Sequence, residues 1–382
     1  MMEPIELNLR KCVAPEFIFG TGARKLAGSY ARNLGMRHPL LVTDPTVRKT
    51  PWFRDVINAL ESAGIEYLVF DDVVPNPRDT NVTDGVACYK THYCDGIIAL
   101  GGGSPMDCAK AIGIVVANGD TITAFEGVDQ IIRPLPPLIC IPTTAGTSAD
   151  VSQFAIIVDS TRKVKMAIIS KSIVPDLALI DPETTLSMEL DLSINTGLDA
   201  LTHAFEAYVS NASSTFTDMY ALQSIEYLFK GLPQMVTNPN NMEARGAIMM
   251  GSLLAGLAFS NASLGAVHAM SHSLGGQTDL PHGLCNAILL DHVVEYNYPY
   301  AGEKYKRIGT AMGKNLKNKA DLLSALRDFK VSLGFVATLG STGLAPNLLP
   351  TLAITAAQDA CIVTNPKTPT TQEIERIYEK AF

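Results

Sequence analysis

The sequence predicts an α/β half built on a parallel sheet, followed by an all-helical half. Three observations carry this. Short apolar runs alternate with helical periodicity up to Asp181. A glycine run follows directly on one of the apolar runs. Beyond Asp181 helical periodicity dominates to the end, and few β-branched runs remain.

Leu40-Leu41-Val42-Thr43-Asp44 reads as a short buried strand. Pro51 then opens a helix that runs through Ala63, and Gly64 ends it. Tyr67-Leu68-Val69-Phe70 is a second strand. The turn Pro75-Asn76-Pro77 precedes a helix from about Val82. Ile97-Ile98-Ala99-Leu100 is a third strand, running into Gly101-Gly102-Gly103-Ser104, and Leu138-Ile139-Cys140-Ile141 is a fourth. Helices are then expected from Leu192 to Tyr208, Thr217 to Leu228 and Met242 to Phe259. The change of texture falls within 181–190. Residues 1–187 are expected to form a dinucleotide-binding domain and 188–382 an all-helical, metal-binding one.

Composition narrows the function. At 382 residues the chain is too long for one small core, and 47% hydrophobic with 18% charged residues describes a packed globular protein. A net charge of -8 and the lack of any Lys/Arg run argue against a nucleic-acid partner. The first residues, MMEPIELNLRKCVAPEF, lack the apolar core of an export signal. Gly246 to Phe259, 14 residues including Ser252, is too short to span a bilayer and reads as a buried helix. The seven cysteines include no CxxC pair and read as reduced thiols in the cytoplasm.

The glycine run has the chemistry of a phosphate cradle. Three glycines let backbone turn tightly and approach a ligand. Ser104 suits an N-cap, Pro105 the first helical position, and Asp107 a capping box. Helix N–H groups would then face an anion such as pyrophosphate. The bland alternative is a capped glycine turn; the run is not a GxGxxG fingerprint. Thr143-Thr144-Ala145-Gly146-Thr147 follows the fourth strand and offers hydroxyls at the same sheet edge, unless it is an ordinary loop. Asp44 ends the first strand, where a carboxylate accepts from a ribose diol and repels a 2′-phosphate. Its alternative is a turn-forming aspartate.

Four of the seven histidines fall between 268 and 292. Asp199 and His203 stand at i, i+4 on an expected helix, with Leu198, Leu201, Phe205 and Tyr208 as the neighbouring apolar stripe. His268 and His272 repeat the spacing, and His282 sits at an expected helix start after Pro281. One carboxylate with three imidazoles suits Fe²⁺ or Zn²⁺. Glu206 is either a supporting residue behind a ligand or part of a solvated face. His292 reads as structural, and His38 and His92 as surface residues.

These motifs resemble the iron-dependent (group III) alcohol dehydrogenases nearly end to end. The resemblance rests on Pro75-Asn76-Pro77, GGGSPMD from Gly101, TTAGTSAD from Thr143, TGLDALTHAFEAYVS from Thr196, HAMSHSLGG from His268, PHGLCNAILL from Pro281 and TNPKTP from Thr364. It implies metal ligands at Asp199, His203, His268 and His282, with His272 beside the nicotinamide. It implies cofactor contacts from Asn76, Gly102, Gly103, Ser104, Asp107, Thr143, Thr144, Thr147 and Lys165, and ribose reading by Asp44. Phe154, Phe259 and Cys361 match positions that line the substrate pocket. Family members acting on propanediol, lactaldehyde and methanol are the nearest in pattern. Three departures stand out. Asp150 replaces a frequent Glu, Asp291 replaces a proline, and Phe154 replaces a smaller or polar residue.

The implied reaction is hydride transfer between NAD(H) and a short-chain alcohol or aldehyde, with the metal as Lewis acid and His272 as proton relay. A homodimer or larger homo-oligomer is expected. Rival readings are a glycerol dehydrogenase-type polyol oxidoreductase, a dehydroquinate synthase-like lyase, and a non-enzymatic sensor. The lyase needs a basic pocket, and no Lys/Arg cluster lies near the ligand segments.

Overall fold

The fold was determined as a computed structural model that describes residues 11–382. The reading of the first residues as free of an export signal lies, up to residue 10, outside the described residues. Among the described residues nine strands occur: β1 (Glu16–Phe19), β2 (Leu40–Val42), β3 (Leu68–Phe70), β4 (Ile97–Gly101), β5 (Gly127–Val128), β6 (Leu138–Pro142), β7 (Phe154–Asp159), β8 (Val164–Ile169) and β9 (Leu177–Ile180). Between them lie helices α1 (Ala27–Asn33), α2 (Pro51–Ser62), α3 (Asp79–Thr91) and α4 (Gly103–Asn118). Six strands form one parallel sheet in the order β1-β9-β6-β4-β2-β3.

The sheet follows from period-2 burial on both faces. Leu40, Val42, Ile97, Ala99, Leu138 and Cys140 join one core. Leu41, Ile98, Leu100, Ile139 and Ile141 join the other. A strand buried on both faces must be apolar throughout, which is why these segments read as unbroken hydrophobic runs.

A second sheet, β5-β8-β7, contains an antiparallel hairpin that the sequence reading did not anticipate. Its signal is local. Asp159 Oδ1 accepts the N–H groups of Thr161 and Arg162, and Lys163 adopts φ 56°, between two β-branched runs. α3 also begins at Asp79, earlier than the expected Val82. Asn81 Oδ1 accepts the Arg78 N–H and starts the helix there.

No strand follows β9 among the described residues. Helices take over: α5 (Leu190–Val209), α6 (Thr215–Thr237), α7 (Met242–Ala262), α8 (Ala266–Thr278), α9 (His282–Ala311), α10 (Lys319–Ser332), α11 (Leu349–Ala356) and α12 (Thr371–Lys380). α6 continues past the expected end at Leu228 and through Pro233 to Thr237. The proline gives up one backbone hydrogen bond. Leu228, Leu232 and Met235 stay buried along that stretch, so the packed face outweighs it. α7 is long and apolar enough to cross a membrane, but 67% of its most apolar window is buried within the protein, as in a core helix.

Contacts divide the chain into two compact units. One holds Ala14–Thr196 with Asn238–Met249. The other holds Gly197–Thr237 and Met250–Phe382, with the described residues 11–13. All seven cysteines are free thiols.

Candidate metal centre and cofactor site

Three helices of the helical unit bring the candidate ligands together. Asp199 and His203 lie one turn apart on α5, His268 is on α8, and His282 is the first residue of α9. The Nε2 atoms of His203, His268 and His282 each stand 3.9 Å from Asp199 Oδ1. The four donor atoms lie within 4.8 Å of one another. Such separations are too long for hydrogen bonds. Four donors on a tetrahedron of 3.9 Å edge would sit about 2.4 Å from its centre, close to the bond lengths of a divalent ion. The donor set therefore fits an ion. Asp199, His203 and His268 are buried, while the His282 side chain is 25% exposed, so the cluster meets solvent on the His282 side.

Glu206, one turn beyond His203 on α5, resolves as a support and not a solvated face. Its Oε2 faces His268 Nδ1 at 2.5 Å and accepts the Gly265 N–H at 3.0 Å, and its Oε1 accepts the Val267 N–H at 2.6 Å. It thus satisfies donors at the start of α8 and orients His268 with Nε2 toward the cluster. Gly265 has no room for a side chain: a Cβ would lie 2.8 Å from Asn365 Oδ1 and 2.9 Å from Glu206 Oε1. Burial raises the Glu206 carboxyl to about 7, against the pull of the Val267 and Gly265 N–H groups. Burial also lowers the His268 imidazole to about 3. His268 is therefore neutral near pH 7 and offers a lone pair, as a ligand must.

Two further neighbours were not anticipated. Asn286, one turn after His282, donates through Nδ2 to Asp199 Oδ1 at 2.6 Å and lies 3.0 and 3.1 Å from the Nε2 atoms of His268 and His282. Only its i, i+4 spacing from His282 hinted at this. Asp359 Oδ2 faces His272 Nδ1 at 2.8 Å. Burial pushes the Asp359 carboxyl up, but His272 and the Cys361 N–H outweigh it and hold it near 2. The structure places His272 beside the four-atom cluster, its ring stacked on His282 at 5.3 Å and edge-on to His268 at 6.1 Å. Phe259 stacks on His203 at 4.4 Å. Cys361 is buried, and burial pushes its thiol well up.

Apart from His272 on α8, the candidate cofactor residues fall in the α/β unit, and there the start of α4 differs from the expected one. α4 starts at Gly103 with Gly102 as N-cap, and no side chain caps it. Ser104 and Pro105 are already inside the first turn, so neither the Ser104 cap nor the capping box with Asp107 forms. The glycines let backbone enter the helix two residues early, which leaves first-turn N–H groups to a ligand. Thr144 and Thr147 press on this loop. A Cβ on Gly102 would lie 3.1 Å from Thr144 Cγ2, and one on Gly103 would lie 2.8 Å from Thr147 Cγ2. The Thr143 N–H donates to Gly101 O.

Lys165 Nζ donates to Asn76 Oδ1 at 2.8 Å, so β8 and the Pro75-Asn76-Pro77 turn are tied together. Asp44 Oδ1 accepts the N–H groups of Thr46 and Val47. That oxygen does the work of a turn former. Phe154 opens β7 and is buried. Lys110, which the sequence reading passed over, is buried on α4 and donates to the carbonyls of Ser152 and Phe154, both at 2.8 Å. Burial lowers its amine. Asp150 is also buried, and burial raises its carboxyl to about 6. The departure at Asp291 has a structural reason. Its carboxylate pairs with Lys330 and, at 2.9 Å, with Arg327, both on α10.

Comparison with known proteins agrees with this arrangement over both halves. The pattern described as "Iron-containing alcohol dehydrogenase" matches residues 14–182. That described as "Fe-containing alcohol dehydrogenase family, C-terminal" matches 193–382. The chain is 36% identical to the NAD-dependent methanol dehydrogenase of Bacillus methanolicus, covering 97% of this chain and 99% of that one. It is 38% identical to the 1,3-propanediol dehydrogenase of Klebsiella pneumoniae, over 95% and 96%. A crystal structure of 1,3-propanediol oxidoreductase superposes with TM-score 0.95 at 37% identity, over 98% and 100%. With both halves matched in order and a donor cluster that fits a divalent ion, the chain belongs to the iron-containing alcohol dehydrogenase family.

Proposed function

We propose that this dehydrogenase interconverts a short-chain primary alcohol and its aldehyde with NAD(H). One observation carries the reading: three imidazole nitrogens stand 3.9 Å from a single carboxylate oxygen. Asp199, His203, His268 and His282 would hold the ion, Fe²⁺ or Zn²⁺. A bound ion supplies Lewis acidity at the substrate oxygen, and NAD(H) supplies the hydride. Residues 1–187 bind the dinucleotide, with Gly102, Gly103 and Ser104 on the pyrophosphate and Asn76, Asp107, Thr143, Thr144, Thr147 and Lys165 around it. Asp44 selects NAD over NADP. Residues 188–382 supply the metal site. His272 moves the proton to and from the substrate oxygen through water or a ribose hydroxyl. Phe154, Phe259 and Cys361 line the substrate pocket, where two phenyl rings leave extra hydroxyls without partners. The enzyme works in the cytoplasm as a homodimer or larger homo-oligomer.

The test is steady-state kinetics after anaerobic Fe²⁺ loading, with NADH and acetaldehyde, propionaldehyde, butyraldehyde, lactaldehyde and dihydroxyacetone. The short aldehydes should be reduced. Dihydroxyacetone as best substrate by about tenfold or more, roughly 1.4 kcal/mol of transition-state preference, would return the chain to the polyol reading.

A further inference from the structure

Asp359 lies just before the short 3₁₀ turn Ala360–Thr364, and both its oxygens are committed. Oδ2 faces His272 Nδ1 at 2.8 Å, and Oδ1 accepts the Cys361 N–H at 2.8 Å. Its side chain is only 10% exposed. We propose that Asp359 is the positioning residue of His272 in the alcohol–aldehyde reaction. The inference rests on reading His272 as the proton relay.

A carboxylate only accepts, so Nδ1 of His272 must carry the hydrogen between them. Nε2 of the neutral ring then carries the lone pair. Stacking on His282, with 14° between the rings, fixes the plane of the imidazole, and Asp359 fixes its rotation within that plane. The second oxygen extends the hold to the backbone of Cys361, so the ring and this part of the pocket wall keep one register. In alcohol oxidation Nε2 would take, through water or a ribose hydroxyl, the proton that leaves the substrate hydroxyl, and bound NAD⁺ would supply the hydride acceptor. The ring becomes cationic beside an anion already in place. In aldehyde reduction the same proton returns. Asp359 exchanges none. The trio His272, Asp359 and Cys361 also lies within ligand distance of one another. It does not read as a second ion site, because burial keeps the thiol protonated and the other two satisfy each other.

Nitrogen-15 NMR of histidine-labelled, Zn²⁺-loaded enzyme reads the tautomer, with His272→Ala identifying the resonance. Wild type should show the Nδ1–H form. Asp359→Asn should keep metal content and circular dichroism, lower kcat roughly 10–100-fold and leave KM within about threefold. Asp359→Glu, which retains the carboxylate, should recover part of the loss. An Nε2–H ring in wild type overturns the proposal, as does Asp359→Asn with kcat within about threefold of wild type. Should Asp359→Asn fail to fold, the wild-type tautomer decides alone. Failure of the relay reading leaves a different mark: His272→Ala itself keeps wild-type kcat.

Discussion

Burial decides the charge of His268 before any ligand does. A desolvated imidazole with its Nδ1 against Glu206 has one chemistry left, to present Nε2 as a donor. His268→Ala or His282→Ala should therefore abolish ion binding and turnover while the fold survives. Elemental analysis and circular dichroism check this together, and full activity in a chelated, metal-free preparation would sink the metal assignment. Asp44→Gly should narrow the NADH-over-NADPH ratio of kcat/KM by about 1–3 kcal/mol, the scale of a charge-assisted hydrogen bond. Equal use of both cofactors by wild type would refute the role of Asp44. Residues at helical spacing, such as Asp199 with His203, were legible because one turn of helix makes them neighbours. Asp359 was not. It meets His272 across 87 residues, and no local pattern announces such a contact.

Between elements, the carboxylate of Asp291 ties α9 to α10. Asp291 and Lys330 have side chains only 4% and 10% exposed, so removing Lys330 leaves a buried carboxylate to Arg327 alone. Lys330→Ala should cost about 1–3 kcal/mol in urea unfolding, because Arg327 still meets the carboxylate. Burial raises the Asp291 carboxyl, but Lys330 and Arg327 outweigh it, and the net shift is downward. Its stabilisation is thus complete above the unfolded pKa of about 4 and is lost as pH falls through the lower folded value. The stability gap between wild type and Asp291→Asn should stay level from neutral pH to about 5 and shrink below about 4. A gap that widens on acidification would contradict the sign. The doubly buried strands were legible as apolar runs. The β7–β8 hairpin was not, because its turn lacks the Asn-Gly or Asp-Gly signal and depends on Lys163 at positive φ.

At the scale of the molecule, an ion that binds the folded state alone adds stability by mass action. At a free concentration about 100 times the dissociation constant this is roughly 2.7 kcal/mol, so chelation should lower the unfolding midpoint together with activity. An unchanged midpoint would mean that the four donors hold nothing. Phe154→Ala should raise kcat/KM for branched or longer aldehydes relative to acetaldehyde; a uniform fall across the panel would remove Phe154 from the pocket. The α/β-then-helical order was legible from periodicity, and family membership from the order of the motifs. The grouping of Asn238–Met249 with the α/β unit was not, because it reverses chain order.

The crowding of Gly102 and Gly103 by Thr144 and Thr147 has a consequence for recombining this chain with its relatives. The two loops come from different strands, yet Gly102 and Gly103 cannot gain a methyl group unless Thr144 and Thr147 give way. They are inherited as a matched pair. A chimera whose crossover falls between Gly103 and Thr144 inherits a lock from one parent and a key from the other. Crossovers placed outside residues 101–147 keep both from a single parent, and these should yield functional hybrids far more often.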